Sequence, residues 1–122
     1  MNQETKKEIV EGLLDTISGI ADIKYQERIW IKGKGPEVDD YTETSCYITA
    51  EGEDIVKNYQ FFGITESQYS PLKRFYDIYE NFDDNDYFTF KTENELIHSP
   101  QWKVVVDAAK EVLKAFNYEK TK

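Results

Sequence analysis

The residue types that most often carry chemistry are scarce in this chain: 122 residues include one cysteine, one histidine and one methionine. Cys46 alone forms no internal disulfide, which fits a reducing compartment and sets a cytoplasmic expectation. One Cys and one His exclude a conventional zinc site, so no metal or other cofactor is expected. No apolar run approaches the roughly 18 residues needed to span a bilayer. Residues 1–7 are polar and lack the apolar segment of a secretory signal. There is no internal repeat and no low-complexity linker.

Basic residues are missing from two long stretches. Residues 35–56 hold seven acids (Glu37, Asp39, Asp40, Glu43, Glu51, Glu53 and Asp54) and no Lys or Arg. Residues 76–90 hold five more (Asp77, Glu80, Asp83, Asp84 and Asp86), again without a base. The other 12 acids face 15 bases, a balance of +3 against −9 for the whole chain. Acidity is therefore regional, and negative surfaces on a mildly positive body focus potential toward a cationic partner. The net charge opposes direct binding to nucleic acid or to an anionic membrane.

What is present is a globular composition. A single domain over 1–122 can bury roughly two-thirds of its unfolded surface without disulfides or metal. Apolar residues make up 39% and aromatics 15%, too rich for a disordered chain. Eleven of the 18 aromatics fall between residues 59 and 90, beside and within the second acidic stretch. Such a density fills a core or serves an interface.

The hydrophobic pattern is helical. Ile9, Val10, Leu13, Leu14 and Ile17 predict a helix over 4–18, with Ser18-Gly19 as its stop. Tyr25, Ile29 and Trp30 favour a short helix at about 22–29, although Ile29 and Ile31 around Trp30 also allow a strand. Gly33-Lys34-Gly35-Pro36 breaks any regular element. Between 37 and 52 the pattern is least readable: Asp39 or Asp40 caps a short helix through Tyr41, Ser45 and Ile48, or 47–49 is strand. A helix over 53–61 buries Ile55, Val56 and Tyr59 and ends at Gly63. Thr65-Glu66-Ser67-Gln68 matches a capping box, with Ile64 and Tyr69 placed for a hydrophobic staple. The helix it opens aligns Tyr69, Leu72, Phe75, Tyr76, Tyr79 and Phe82, and Pro71 requires either a kink or a restart capped by Ser70. Residues 83–98 read as loop, with an extended piece at 87–91. Ser99-Pro100 opens the clearest helix, striped by Trp102, Val105, Val106, Ala109, Val112, Leu113 and Phe116, and 118–122 reads as a frayed tail. The expected fold is all-α, a compact single-domain bundle of three longer helices plus short ones, with minor or no β structure.

No constellation points to catalysis. His98 is the only histidine, and Ser99 beside it is explained by capping the helix that Pro100 begins. Paired carboxylates are unspecific in a chain with 24 acids. A twelve-residue calcium register from Asp84 fits at Asp86 and Glu95, but places Phe88 at position five and Thr89 where a sharp turn needs Gly. The 33–36 segment lacks the spacing of a phosphate loop, and Pro36 removes a backbone donor. Arg28, Lys32 and Lys34 could form a small basic spot next to the first acidic stretch.

Acids at the end of the 66–82 helix oppose its macrodipole without an evident folding benefit, a kind of violation enriched at functional sites. Asp39, Asp40 and Tyr41 repeat the acidic-aromatic pairing. The chain is thus expected to be a non-enzymatic acidic binding protein whose Glu37, Asp39, Asp40, Tyr41, Glu43, Asp83, Asp84, Asp86 and Tyr87 meet a basic partner protein, such as a toxin or nuclease. Acids there would steer and the tyrosines would anchor. In size, acidity and helical pattern alone it is similar to bacterial immunity proteins that block nuclease toxins. The rival expectation is a regulatory or scaffold module, alone or as a homodimer, that uses its aromatic face and keeps its acids for solubility.

Overall fold

In the computed structural model, which describes residues 1–119, helices make up the regular structure and no strand occurs among the described residues. α1 (Gln3–Ile20) starts where the Asn2 side chain accepts the Thr5 N–H at 2.8 Å. It runs past the expected stop at Ser18-Gly19 because Ile20 is fully buried and one more turn brings it into the core. α2 (Ile23–Tyr25), capped by Asp22, passes directly into a π segment, Gln26–Ile31. A π turn is wider than an α turn, and this one carries Gln26, Ile29 and Trp30 inward together. Adjacent buried residues obscured the helical period, so the strand alternative fails here for a local reason.

α3 (Tyr41–Tyr47) and α4 (Glu53–Lys57) form one rod joined by a π segment, Ile48–Gly52. Asp40 is its cap, accepting the Glu43 N–H at 2.8 Å, and the possible strand at 47–49 is helical instead. The helix expected over 53–61 stops at Lys57, and turns close the rest. Gly63, at φ 76°, ends them as a left-handed cap, with Ile64 N–H donating to Tyr59 O and Gly63 N–H to Gln60 O. Ile55 and Val56 are buried and Tyr59 half-buried, as their spacing required.

α5 (Glu66–Asn81) carries both bonds of the capping box, at 3.0 and 3.2 Å. It continues unbroken through Pro71, so Ser70 starts no new helix. Instead of a loop, the chain beyond it winds through a π segment (Phe82–Asp86) and a 3-10 turn (Tyr87–Thr89) into α6 (Glu93–Ile97). Thr92 caps α6 by accepting the Glu95 N–H. The sequence Thr92-Glu93-Asn94-Glu95 is itself a capping-box pattern, the signal that would have located this helix.

α7 (Pro100–Ala115) is the axis of the molecule, with α1 and α5 packed on it. Trp102, Val105, Val106, Ala109 and Val112 of its stripe are buried, joined by Ala108, while Leu113 and Phe116 are half-buried against the core. Trp102 lies at the centre, its ring centroid 5.1 Å from Phe82, 5.9 Å from Trp30 and 6.0 Å from Tyr41. Its Nε1 donates to Gln26 Oε1 at 2.9 Å, while Gln26 Nε2 donates to the carbonyls of Gly19 and Ile20. One buried amide thus ties the end of α1, the π segment after α2 and α7 together. Tyr118 is not frayed: it packs on the core, and its N–H donates to Leu113 O at 2.9 Å past Asn117 at φ 51°. The remainder of the expected tail, 120–122, lies outside the described residues. No helix among the described residues is long and apolar enough to cross a membrane.

Candidate partner-binding surface

The two acidic stretches meet through Tyr41 and Asp83, which are 42 positions apart in the chain. The Tyr41 hydroxyl donates to Asp83 Oδ1 at 2.6 Å, and Ser45 Oγ donates to the same oxygen at 3.0 Å. Tyr41 N–H donates to Glu93 Oε1 at 2.7 Å, and its ring stacks on Tyr87 at 4.6 Å. The start of α3, the segment after α5 and the start of α6 are therefore held as one surface.

Within that surface the acids divide by what they already do. Asp39 is half-buried and its carboxylate accepts four bonds: from Tyr25 Oη (2.9 Å), Trp30 Nε1 (3.1 Å), Asp40 N (2.9 Å) and Thr44 Oγ1 (3.3 Å). It pins the loop before α3 to the π segment after α2. Asp40 is spent on capping α3, and Asp83 on Tyr41 and Ser45. Glu37 pairs with Arg28, both N–O distances being 3.2 Å. That pairing takes Arg28 out of the expected basic spot, and the Glu37 carboxylate holds its guanidinium above the ordinary value.

Hydrogen bonds to an ionised carboxylate are stronger than neutral ones, and four of the seven acids named from sequence serve folding through them. The expectation that all of them stand free at the surface is corrected accordingly. Glu43 and Asp84 are exposed and Asp86 half-buried, and their side chains make no hydrogen bond or ion pair among the described residues. Neighbouring acids are engaged at the edges: Glu53 by Lys57 and Asp77 by Lys73, both at 2.6 Å. The broken macrodipole rule is thus resolved at Asp83 and persists at Asp84 and Asp86.

The tyrosines also change role. Tyr41 is 2% exposed and cannot serve as an anchor that a partner reaches first. Burial, then the neighbouring Tyr79 and the bond to Asp83, pushes its phenol above the ordinary value. Tyr25 is raised by burial and by Asp39. Tyr79 is fully buried, and its hydroxyl, enclosed near Ser45 and Tyr41, lacks a partner of ordinary hydrogen-bond geometry. Tyr87 is half-buried under its stack with Tyr41. The exposed apolar side chains in the two stretches are instead Val38 (97%) and Phe88 (77%). Neither has a helical period to betray it. Val38 borders a recess of about 300 Å³ with Asp39, Glu43 and Tyr47, and Phe88 borders one of about 370 Å³ with Tyr87, Phe90 and Glu93.

Elsewhere the surface offers little chemistry. Leu72, Phe75, Tyr79 and Phe82 are buried and Tyr69 and Tyr76 half-buried, so most of the expected aromatic face is core. Ser99 Oγ donates to Leu96 O and accepts the Trp102 N–H, which leaves it no bond to His98. His98 Nδ1 lies 2.8 Å from Asn94 O and Nε2 3.9 Å from Glu27. The 84–95 register winds as helical turns rather than a calcium loop. No group of three or more His, Cys, Asp or Glu side chains among the described residues could hold a metal ion. Comparison of the chain with family models, curated proteins and solved structures finds no match.

Proposed function

We propose that this protein is a small cytoplasmic binding protein that captures a basic partner protein on the surface built around Tyr41. A nuclease-type toxin, whose cationic groove evolved to hold phosphates, is the partner class that fits best. The observation that carries the reading is the junction itself. Two donors on Asp83, from Tyr41 and Ser45, join the two base-free stretches, while four donors on Asp39 and the cap at Asp40 fix the first of them in place. Glu43, Asp84 and Asp86 belong to these stretches and have no cation paired with them among the described residues.

In this reading Glu43, Asp84 and Asp86 steer the encounter, and Val38 and Phe88 supply the apolar contact first assigned to Tyr41 and Tyr87. Steering charges act chiefly on the association rate, whereas desolvated contacts set the dissociation rate. The rival aromatic-face reading has less surface to work with, since Leu72, Phe75, Tyr79 and Phe82 are buried and only Tyr69 and Tyr76 of that face are half-exposed. Affinity capture from the source cell tests the proposal. Wild type should retain one protein with a strongly basic face, and the double variant Glu43→Gln/Asp84→Asn should lose most of it. Equal retention by both, or a captured protein without a basic face, would contradict the reading.

A further inference from the structure

Phe88 is exposed to 77%, yet it stands on a turn that is anchored on both sides. Before it, Tyr87 stacks on Tyr41 at 4.6 Å with planes 12° apart; after it, Phe90 stacks on Phe82 at 6.1 Å and 20°. Thr89 Oγ1 donates to Asp86 O at 2.7 Å and closes the turn. A bare aromatic held this way has little ordering left to lose on binding. Beside it lies the recess of about 370 Å³ that it lines together with Tyr87, Phe90, Lys91, Thr92, Glu93 and Leu96. Glu93 is half-buried; one carboxylate oxygen takes the Tyr41 N–H, and the other has no partner among the described residues. Residues 83–95 carry five acids and one lysine.

We infer that this recess receives an arginine or lysine side chain from the partner, its stem or guanidinium plane against Phe88 and its charge on the open oxygen of Glu93. The inference rests on the acidic-capture reading and names the contact at its centre. An apolar group would cover the rings and leave Glu93 desolvated without a counter-charge, and an anion would face it directly. A long cationic side chain satisfies rings and carboxylate together.

The test is an NMR titration of the isolated protein with the capped peptide Gly-Arg-Gly, with its neutral citrulline analogue and with Gly-Glu-Gly as controls. The arginine peptide should give saturable shifts at Phe88, Phe90, Glu93 and Leu96, and the citrulline peptide should not. Phe88→Ala should weaken binding roughly two- to fivefold, with the remaining spectrum unaltered. Glu93→Gln, which keeps an acceptor for Tyr41, should weaken it at least about tenfold. Lys91→Gln should tighten it. Shifts confined to Glu43 and Asp84 would overturn the recess while leaving the capture surface standing. Equal binding of the citrulline peptide, binding of the glutamate peptide, or no saturable shift at all would overturn it as well.

Discussion

Asp39 shows at the scale of one residue why an acid-rich sequence misleads about its own surface. Its carboxylate gathers two aromatic donors, a backbone N–H and a threonine hydroxyl. Removing it breaks all four bonds, the one from the buried Trp30 indole included, so Asp39→Ala should cost about 3 kcal/mol in a urea titration. Glu43→Gln, at an exposed and unbonded position, should stay within about half a kcal/mol. Equal small effects would mean that Asp39 is not the tie described. The tyrosines offer a second test. Tyr25, Tyr41, Tyr76 and Tyr79 all have phenols raised above the ordinary value, first by burial. Because the folded values are raised, this contribution is intact below the unfolded tyrosine value, about 10, and is lost as pH climbs beyond it toward the folded values. Absorbance at 295 nm should therefore show those tyrosines ionising together with unfolding rather than ahead of it. Smooth ionisation of all nine tyrosines around pH 10 in folded protein would contradict their burial.

Elements held together by single polar groups are testable in the same way. Gln26 links α1, the π segment after α2 and α7 through three bonds, and Gln26→Ala takes that partner from the buried Trp102 N–H and the Ile20 carbonyl, while the Gly19 carbonyl keeps the Asp22 N–H. A loss of about 3 kcal/mol, with lower thermal stability, is expected; a loss under about half a kcal/mol would show that the bridge is dispensable. Gln26 was not readable from the pattern, since a polar residue at a buried π position has no hydrophobic signature. The same holds for Ile29 and Trp30, whose adjacency fits neither period. By contrast α1, α5 and α7 were legible because their stripes, caps and Pro100 agree at every level. The rod through α3 and α4 was half legible: Asp40 announced its start, but the π segment in its middle shifted the phase of Ile48 and Ile55. α6 was missed although Thr92 and Glu95 mark it, because five residues hold too few apolar positions to make a stripe.

Across the whole molecule, charge segregation was plain in the sequence, and its division of labour was not. Asp39, Asp40 and Asp83 are bonded within the fold, while Glu43, Asp84 and Asp86 make no side-chain bond among the described residues. A linear chain reveals which acids cluster but not which are already answered by Tyr25, Trp30, Tyr41 or Ser45. The anchors were displaced for the same reason: Tyr41 and Tyr87 stack on each other, and Val38 and Phe88 take the outside. Charge-led capture makes association steeply dependent on salt, because exposed charges more than about 10 Å apart are largely screened at 0.1 M ionic strength. The direct measurement is the association rate of the purified captured partner across ionic strength, for wild type and Glu43→Gln/Asp84→Asn. The account predicts a rate for wild type that falls steeply with salt, a slower and flatter rate for the double variant, and dissociation rates that differ little. Superimposable association rates with the same salt dependence in both proteins would contradict it.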